Sequence, residues 1–209
     1  MRSPLRLPLL AAALLAPALL AFAGCGRASV PIEPASPDVS AAAADFSVYE
    51  LDAHWRDQDG RDRAPGSLRG RVQVVAMVYT NCTHTCPAIV AELKRLEAAL
   101  DPIERTRVGF LLVSLDPERD TPAQLKAFAT SMRLDPSTWT LLTGDANTVR
   151  EMAALLGIRY RAEADAQISH SNTYLVLDTD GRIVHRQDGV GSGTGPALAR
   201  IRAAAADAD

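Results

Sequence analysis

Two apolar runs set the limits on what this chain of 209 residues can fold into: VQVVAMVY at 72–79 and VGFLLVSL at 108–115. Each is only eight residues long and rich in β-branched side chains. Neither alternates apolar with polar, as a strand with one wet face would. Runs of this kind suit central strands of a sheet covered on both faces. Between them Ile89, Val90, Leu93, Leu96 and Leu100 recur at helical spacing, which predicts a helix over 86–100. A buried strand, a helix and a second buried strand therefore form the expected nucleus of the fold.

The flanking segments extend that pattern. FSVYELDAHWRDQDGRDRAPGSLRGR reads as a hairpin and loop, with turn signals at Asp59-Gly60 and Pro65-Gly66. Thr121-Pro122-Ala123-Gln124 predicts a helix start: Thr121 as cap, Pro122 at the first helical position and Gln124 closing a capping box. A helix over 147–157 ends at Gly157. TYLVLD and RIVHRQ, joined by Thr179-Asp180-Gly181, predict a second hairpin, and a last helix covers about 195–205. Strand, helix, strand, helix, helix, hairpin, helix describes an α/β domain over 45–209. Its mixed sheet is flanked by helices, with an antiparallel pair at one end and an N-terminal hairpin extension. A thioredoxin-like arrangement is the expected fold.

The first 24 residues stand apart. Arg2 and Arg6 precede a Leu/Ala-rich run that ends in FAGC, the pattern of a secretory signal. The run is short for a membrane span and Pro17 interrupts it. FAGC resembles a bacterial lipobox, with Phe22 where Leu is usual, so Cys25 is the expected lipidated first residue. An uncleaved anchor and plain secretion are the alternatives. Residues 25–44, rich in Ala, Pro and Ser, read as a flexible tether from a membrane surface. The expected location is a membrane-anchored lipoprotein facing the periplasm. Loss of the signal removes two arginines and no acids, taking the net charge from −3 to −5. No dense Lys/Arg block occurs, which argues against nucleic-acid binding.

The two cysteines that remain lie in YTNCTHTCP, where the first central strand turns into its helix. Sites in open α/β sheets commonly sit outside the carboxyl ends of strands. Three readings compete. A structural disulfide between Cys82 and Cys86 would close a five-residue loop and add only about 2 kcal/mol. A redox pair is the second: a helix N-terminus lowers the pKa of a nearby thiol. The spacing is C-x-x-x-C, however, not the C-x-x-C of thioredoxin-like oxidoreductases. Those proteins resemble one another in having a cis-proline before the third main strand. No proline occurs between Pro136 and Pro196, and the corresponding place holds His170-Ser171. A metal site is the third. In a thioredoxin-like fold the loop carrying His170 lies against the cysteine loop. Two thiolates and one imidazole form a soft site of low coordination, suited to Cu(I) and, through the imidazole, also to Cu(II). Structural zinc usually takes four ligands.

YTNCTHTCP, VSLDPERDTP and ISHSNTYLVLDTDGRIVHRQDG together resemble the SCO1/SenC family of copper metallochaperones over roughly 46–191. The matching motifs are C-x-x-x-C-P, D-x-x-x-D-T-P and a downstream His followed by a strand and a D-x-D-G turn. The resemblance implies that Cys82, Cys86 and His170 hold copper and that Asp116 and Asp120 form the acidic motif. It also implies delivery of copper to the copper subunit of cytochrome c oxidase or another copper enzyme, or reduction of that client's thiols. Family members often carry a Pro-acid-apolar insert between the cysteines, where this chain has Thr83-His84-Thr85. The expected protein is a monomeric metallochaperone. The alternative is a thiol-disulfide reductase, for which Cys82 and Cys86 are the redox-active pair.

Other residues receive plainer expectations. His84 is expected to be an exposed loop residue, with a fourth ligand or thiol-tuning role as the alternative. Asp116 and Asp120 either stabilise their turn and the following helix start or act near the copper site and its partner face. His185 reads as a surface strand residue, His54 receives no role, and Met77 belongs to the core. A peroxidase site is disfavoured, because Thr80 precedes Cys82 by two residues instead of three and lacks the preceding proline.

Overall fold

The computed structural model of the chain describes residues 46–163, 167–191 and 193–207. The expected signal sequence, Cys25 and the tether lie outside the described residues. A seven-stranded mixed sheet carries the domain. At its centre β3 (Val72–Val78) pairs in parallel with β4 (Val108–Ser114), and all fourteen of their residues are buried. The two apolar runs thus become strands covered on both faces.

β5 (Trp139–Thr143) continues the parallel set beyond β4. On the other side β8 (Thr173–Leu177) pairs antiparallel with β3, and β9 (Ile183–Asp188) forms the edge. Gly181, at φ +87°, makes the turn between them. The N-terminal hairpin joins β1 (Trp55–Asp57) to β2 (Asp62–Arg63) around Gly60, and β1 docks antiparallel on β5. Pro65-Gly66 opens a 3₁₀ turn, Pro65–Leu68, in the loop after that hairpin.

Helix α1 (Thr85–Ala99) begins one residue before the expected start and buries Cys86, Ile89, Val90, Leu93 and Leu96 against the sheet. A short helix, α2 (Pro102–Arg107), follows. It carries a reciprocal capping box, in which Asp101 accepts from the Glu104 N–H and Glu104 from the Asp101 N–H. The box expected at Thr121 is only half formed at the start of α3 (Pro122–Met132). Thr121 Oγ1 accepts from the Gln124 N–H at 3.3 Å, but the Thr121 N–H donates to the Arg119 carbonyl. α4 (Ala146–Leu155) is capped by Asp145, and Gly157 follows it at φ +62°. α5 (Gly195–Ala206) closes the domain.

One element is new. Residues before β8, expected to be a loop, contain β7 (Ile168–His170), which pairs antiparallel with β6 (Tyr160–Ala162). This two-stranded sheet is separate from the main one. Met77 is fully buried in the core. His185 is half-buried on β9 instead of lying open on the surface; burial, with Arg200 nearby, lowers its pKa. His54 is exposed.

Candidate metal centre

β3 ends at Val78, and Tyr79 and Thr80 lead straight into the cysteine loop at the carboxyl ends of the parallel strands. The loop is pinned from below by Asp120, which is fully buried. Its carboxylate accepts from the Thr80 hydroxyl at 2.5 Å, the Thr80 N–H at 3.1 Å and the Ser114 hydroxyl at 2.6 Å. Burial raises the Asp120 pKa, and these three donors oppose the rise. One carboxylate thereby ties the ends of β3 and β4 to the start of α3. Asp116 accepts from Arg119 Nε at 2.5 Å, and its N–H donates to Ser114 Oγ. Both acids of the motif thus act on the turn and the loop beneath the site.

Above that base the structure brings Cys82, Cys86 and His170 together. The Sγ atoms and an imidazole nitrogen all lie within 4.8 Å of one another. Cys86 Sγ is 3.5 Å from His170 Nε2, and the Cys86 N–H donates to Cys82 Sγ at 3.3 Å. Both cysteines are free and buried, and His170 is half-buried. His170 Nδ1 lies 3.0 Å from the Ser171 carbonyl. A carbonyl can only accept, so Nδ1 carries a proton, and in the neutral ring Nε2 is the nitrogen left to act as a ligand beside the sulfurs. A metal bonded at roughly 2.0–2.3 Å to each of three such atoms holds them about 4 Å apart. The group as it stands fits one ion after a small contraction.

The two sulfurs differ in acidity. Burial opposes ionisation of Cys82, but hydrogen bonds from the Thr85 hydroxyl, the Cys86 N–H and the His84 N–H outweigh it, and its pKa falls to about 6. Cys86 is fully buried, and that burial pushes its thiol up; the Tyr79 N–H opposes the rise, while Cys82 adds to it. Cys82 is thus the sulfur that carries charge at neutral pH, at the N-terminus of α1.

His84 stands apart from this group. It is exposed, occupies the cap position of α1, and its Nδ1 hydrogen-bonds the Thr83 hydroxyl at 2.8 Å. Among the described residues the three-ligand group excludes it. Tyr79 was not singled out by sequence reasoning, yet its ring stands edge-on to His170, with centroids 6.0 Å apart and planes at 82°. Its position as the last residue of an apolar run hid it among core residues. The short strands β6 and β7, three residues each, were too brief for alternation to reveal them.

Comparison with known proteins agrees with this geometry. The SCO1/SenC family model matches residues 43–206. An SCO1 protein homolog from Bacillus subtilis (strain 168) is 31% identical over 146 residues, covering 68% of this chain and 75% of that protein. The structure of Bradyrhizobium japonicum ScoI with copper bound is 27% identical, with a TM-score of 0.58, covering 75% of this chain and 94% of that one. BsSco, a member of the Sco family of cytochrome c oxidase assembly proteins in which a disulfide switch has been identified, is 29% identical. Its TM-score is 0.65, with coverage of 76% and 94%. The main sheet with its flanking helices is therefore the thioredoxin-like domain of these proteins, and this chain belongs to the SCO1/SenC family.

Proposed function

We propose that this protein is a copper metallochaperone that binds one Cu(I) through Cys82, Cys86 and His170. The observation that carries this reading is the convergence of two sulfurs and an imidazole nitrogen within 4.8 Å. Soft sulfur donors favour Cu(I), and three ligands leave room for an incoming fourth. Cys82 is ready as a thiolate at neutral pH, whereas Cys86 gives up its proton when the ion arrives, so uptake releases protons. Transfer proceeds by ligand exchange: a partner's soft ligands replace these three one at a time. The copper bound to the Bradyrhizobium relative supports the choice of metal.

We further propose that the client is the copper subunit of cytochrome c oxidase, in keeping with the assembly role of BsSco. A lipid on Cys25 and the tether over 25–44 would hold the domain at a membrane, facing the periplasm; the FAGC pattern is the support for this. The test is Cu(I) titration of the reduced protein in competition with a chromogenic chelator. One equivalent should bind, Cys82→Ser with Cys86→Ser should abolish binding, and His170→Ala should weaken it. One equivalent retained without either sulfur would overturn the proposal.

The unequal acidity of the two thiols favours a second reading, thiol-disulfide reduction. The Cys82 thiolate would attack a client disulfide and release one client thiolate. Cys86 would then attack Cys82 in the mixed disulfide and release the second. Two electrons pass to the client, this chain is left oxidised, and an external dithiol must reduce it again. Client reduction that persists in His170→Ala, when copper binding is lost, would favour this reading over copper delivery.

A further inference from the structure

Cys82 and Cys86 are carried by the junction of β3 and α1, but His170 is carried by the small β6–β7 hairpin, which among the described residues pairs with no strand of the main sheet. The hairpin is closed by its own bonds. The Glu163 N–H donates to the Gln167 carbonyl at 2.8 Å, and at its base the Ser171 N–H donates to the Arg159 carbonyl at 2.9 Å. A cleft of about 370 Å³ lies between it and the turn after β4, lined by Leu115, Asp116 and Pro117 on one side and Tyr160, Gln167 and Ile168 on the other.

The Tyr79 side chain spans the gap between the central sheet and the hairpin. Its hydroxyl donates to Gln167 Oε1 at 3.0 Å and accepts from the Ile168 N–H at 3.3 Å. Tyr79 itself is buried and stands three residues before Cys82. Ile168 and His170 are two apart on one strand, so their side chains share a face. Fixing the Ile168 backbone therefore fixes the side from which His170 is presented. The phenol ring meets the imidazole edge-on as well, so one residue touches the hairpin at both its backbone and its ligand.

We propose that the Tyr79 hydroxyl is a positioning group: it latches β7 to the cysteine loop and so sets the fraction of time that His170 Nε2 stands within ligating reach of the sulfurs. This rests on the copper reading above. Apparent affinity falls in proportion to the competent fraction. Loss of two hydrogen bonds of ordinary strength should then weaken Cu(I) binding by about tenfold.

The experiment compares Tyr79→Phe with the unaltered protein in two measurements: competition for Cu(I) against a chelator, and hydrogen exchange of the Ile168 amide in the metal-free form. Phenylalanine keeps the ring and removes only the hydroxyl. We expect weaker Cu(I) binding at unchanged stoichiometry, faster Ile168 exchange, and no further loss of affinity when Tyr79→Phe is added to His170→Ala. That last result separates a latch acting through His170 from general loosening. Gln167→Ala, at an exposed position, should shift both readouts in the same direction by less. Wild-type Cu(I) affinity in Tyr79→Phe, or an equal loss with and without His170, would overturn the latch alone. Failure of the unaltered protein to take up Cu(I) would overturn the copper reading and the proposal with it.

Discussion

The two sides of the metal centre are built to different standards. The sulfur side is continuous with the core: β3 is fully buried, α1 packs on the sheet, and the buried Asp120 carboxylate holds the loop from below. The imidazole side is a pair of three-residue strands outside the main sheet, half-exposed at His170 and lying over a cleft. A rigid pair of sulfurs facing a ligand on a lightly held arm can enclose an ion and still open for a partner. On the copper reading proposed above, binding and release need not be a compromise within one loop, because separate pieces of backbone carry the sulfurs and the imidazole.

Hydrogen exchange gives the largest predicted contrast. The Ala76 amide on β3 should exchange only through global unfolding, and the Ser169 amide on β7 through local opening. Local and global free energies differ by several kcal/mol in domains of this kind, so the rates should differ on the order of 10³-fold or more. Equal protection at the two sites would break the comparison.

Asp120→Ala comes next. It leaves the Thr80 and Ser114 donors without their buried acceptor and should cost about 3 kcal/mol in urea unfolding. Tyr79→Phe, acting on the other side, should cost about 1 kcal/mol or less. An Asp120→Ala protein as stable as the unaltered one would show that the sulfur side is not anchored as described.

Acidity sharpens the same contrast. Iodoacetamide labelling of Cys82 in the reduced, metal-free protein should rise through a midpoint near pH about 6 and be flat at neutral pH. Cys86, at 0% exposure against 8% for Cys82 and with its pKa raised, should stay unlabelled until the protein unfolds. Thr85→Val removes a hydroxyl donor to the Cys82 sulfur and should move the midpoint upward. The folded thiol ionises below its unfolded counterpart. Ionised Cys82 therefore adds stability above the unfolded thiol's pKa, and that contribution is lost as pH falls toward about 6. A midpoint at the ordinary thiol value would contradict the assignment of charge to Cys82.

The smallest effect belongs to His84→Ala. The ring is exposed and turned to Thr83, so Cu(I) affinity should change less than about twofold, consistent with a surface substitution away from the ligands. A loss as large as that of His170→Ala would add His84 to the site.

The sulfur side was legible in the sequence because long-range burial leaves a local mark. Seven-residue strands covered on both faces read as unbroken apolar runs, and α1 as a helical period. The imidazole side was not legible. Three-residue strands carry too few side chains to show alternation, and the pairing of Tyr160 with His170 is a fact of register that composition does not encode. β5 was missed for a related reason: WTLLT alternates weakly and draws its stability from pairing with β4. The short helix α2 did carry a signal, Asp101-Pro102 followed by Glu104, but six residues without an apolar stripe gave it no context. His170 itself was found because the motif order pointed to it; the geometry that delivers it, Tyr79 and the hairpin, came only with the structure.

The central claim is that two sulfurs from the core and one imidazole from the arm meet on a single ion. X-ray absorption at the copper edge of the Cu(I)-loaded protein tests it most directly. The Cu(I)-loaded protein should show a three-coordinate shell of two sulfurs and one nitrogen, with the nitrogen scattering absent in His170→Ala. A shell of sulfur alone in the unaltered protein, or a nitrogen that persists without His170, would contradict it.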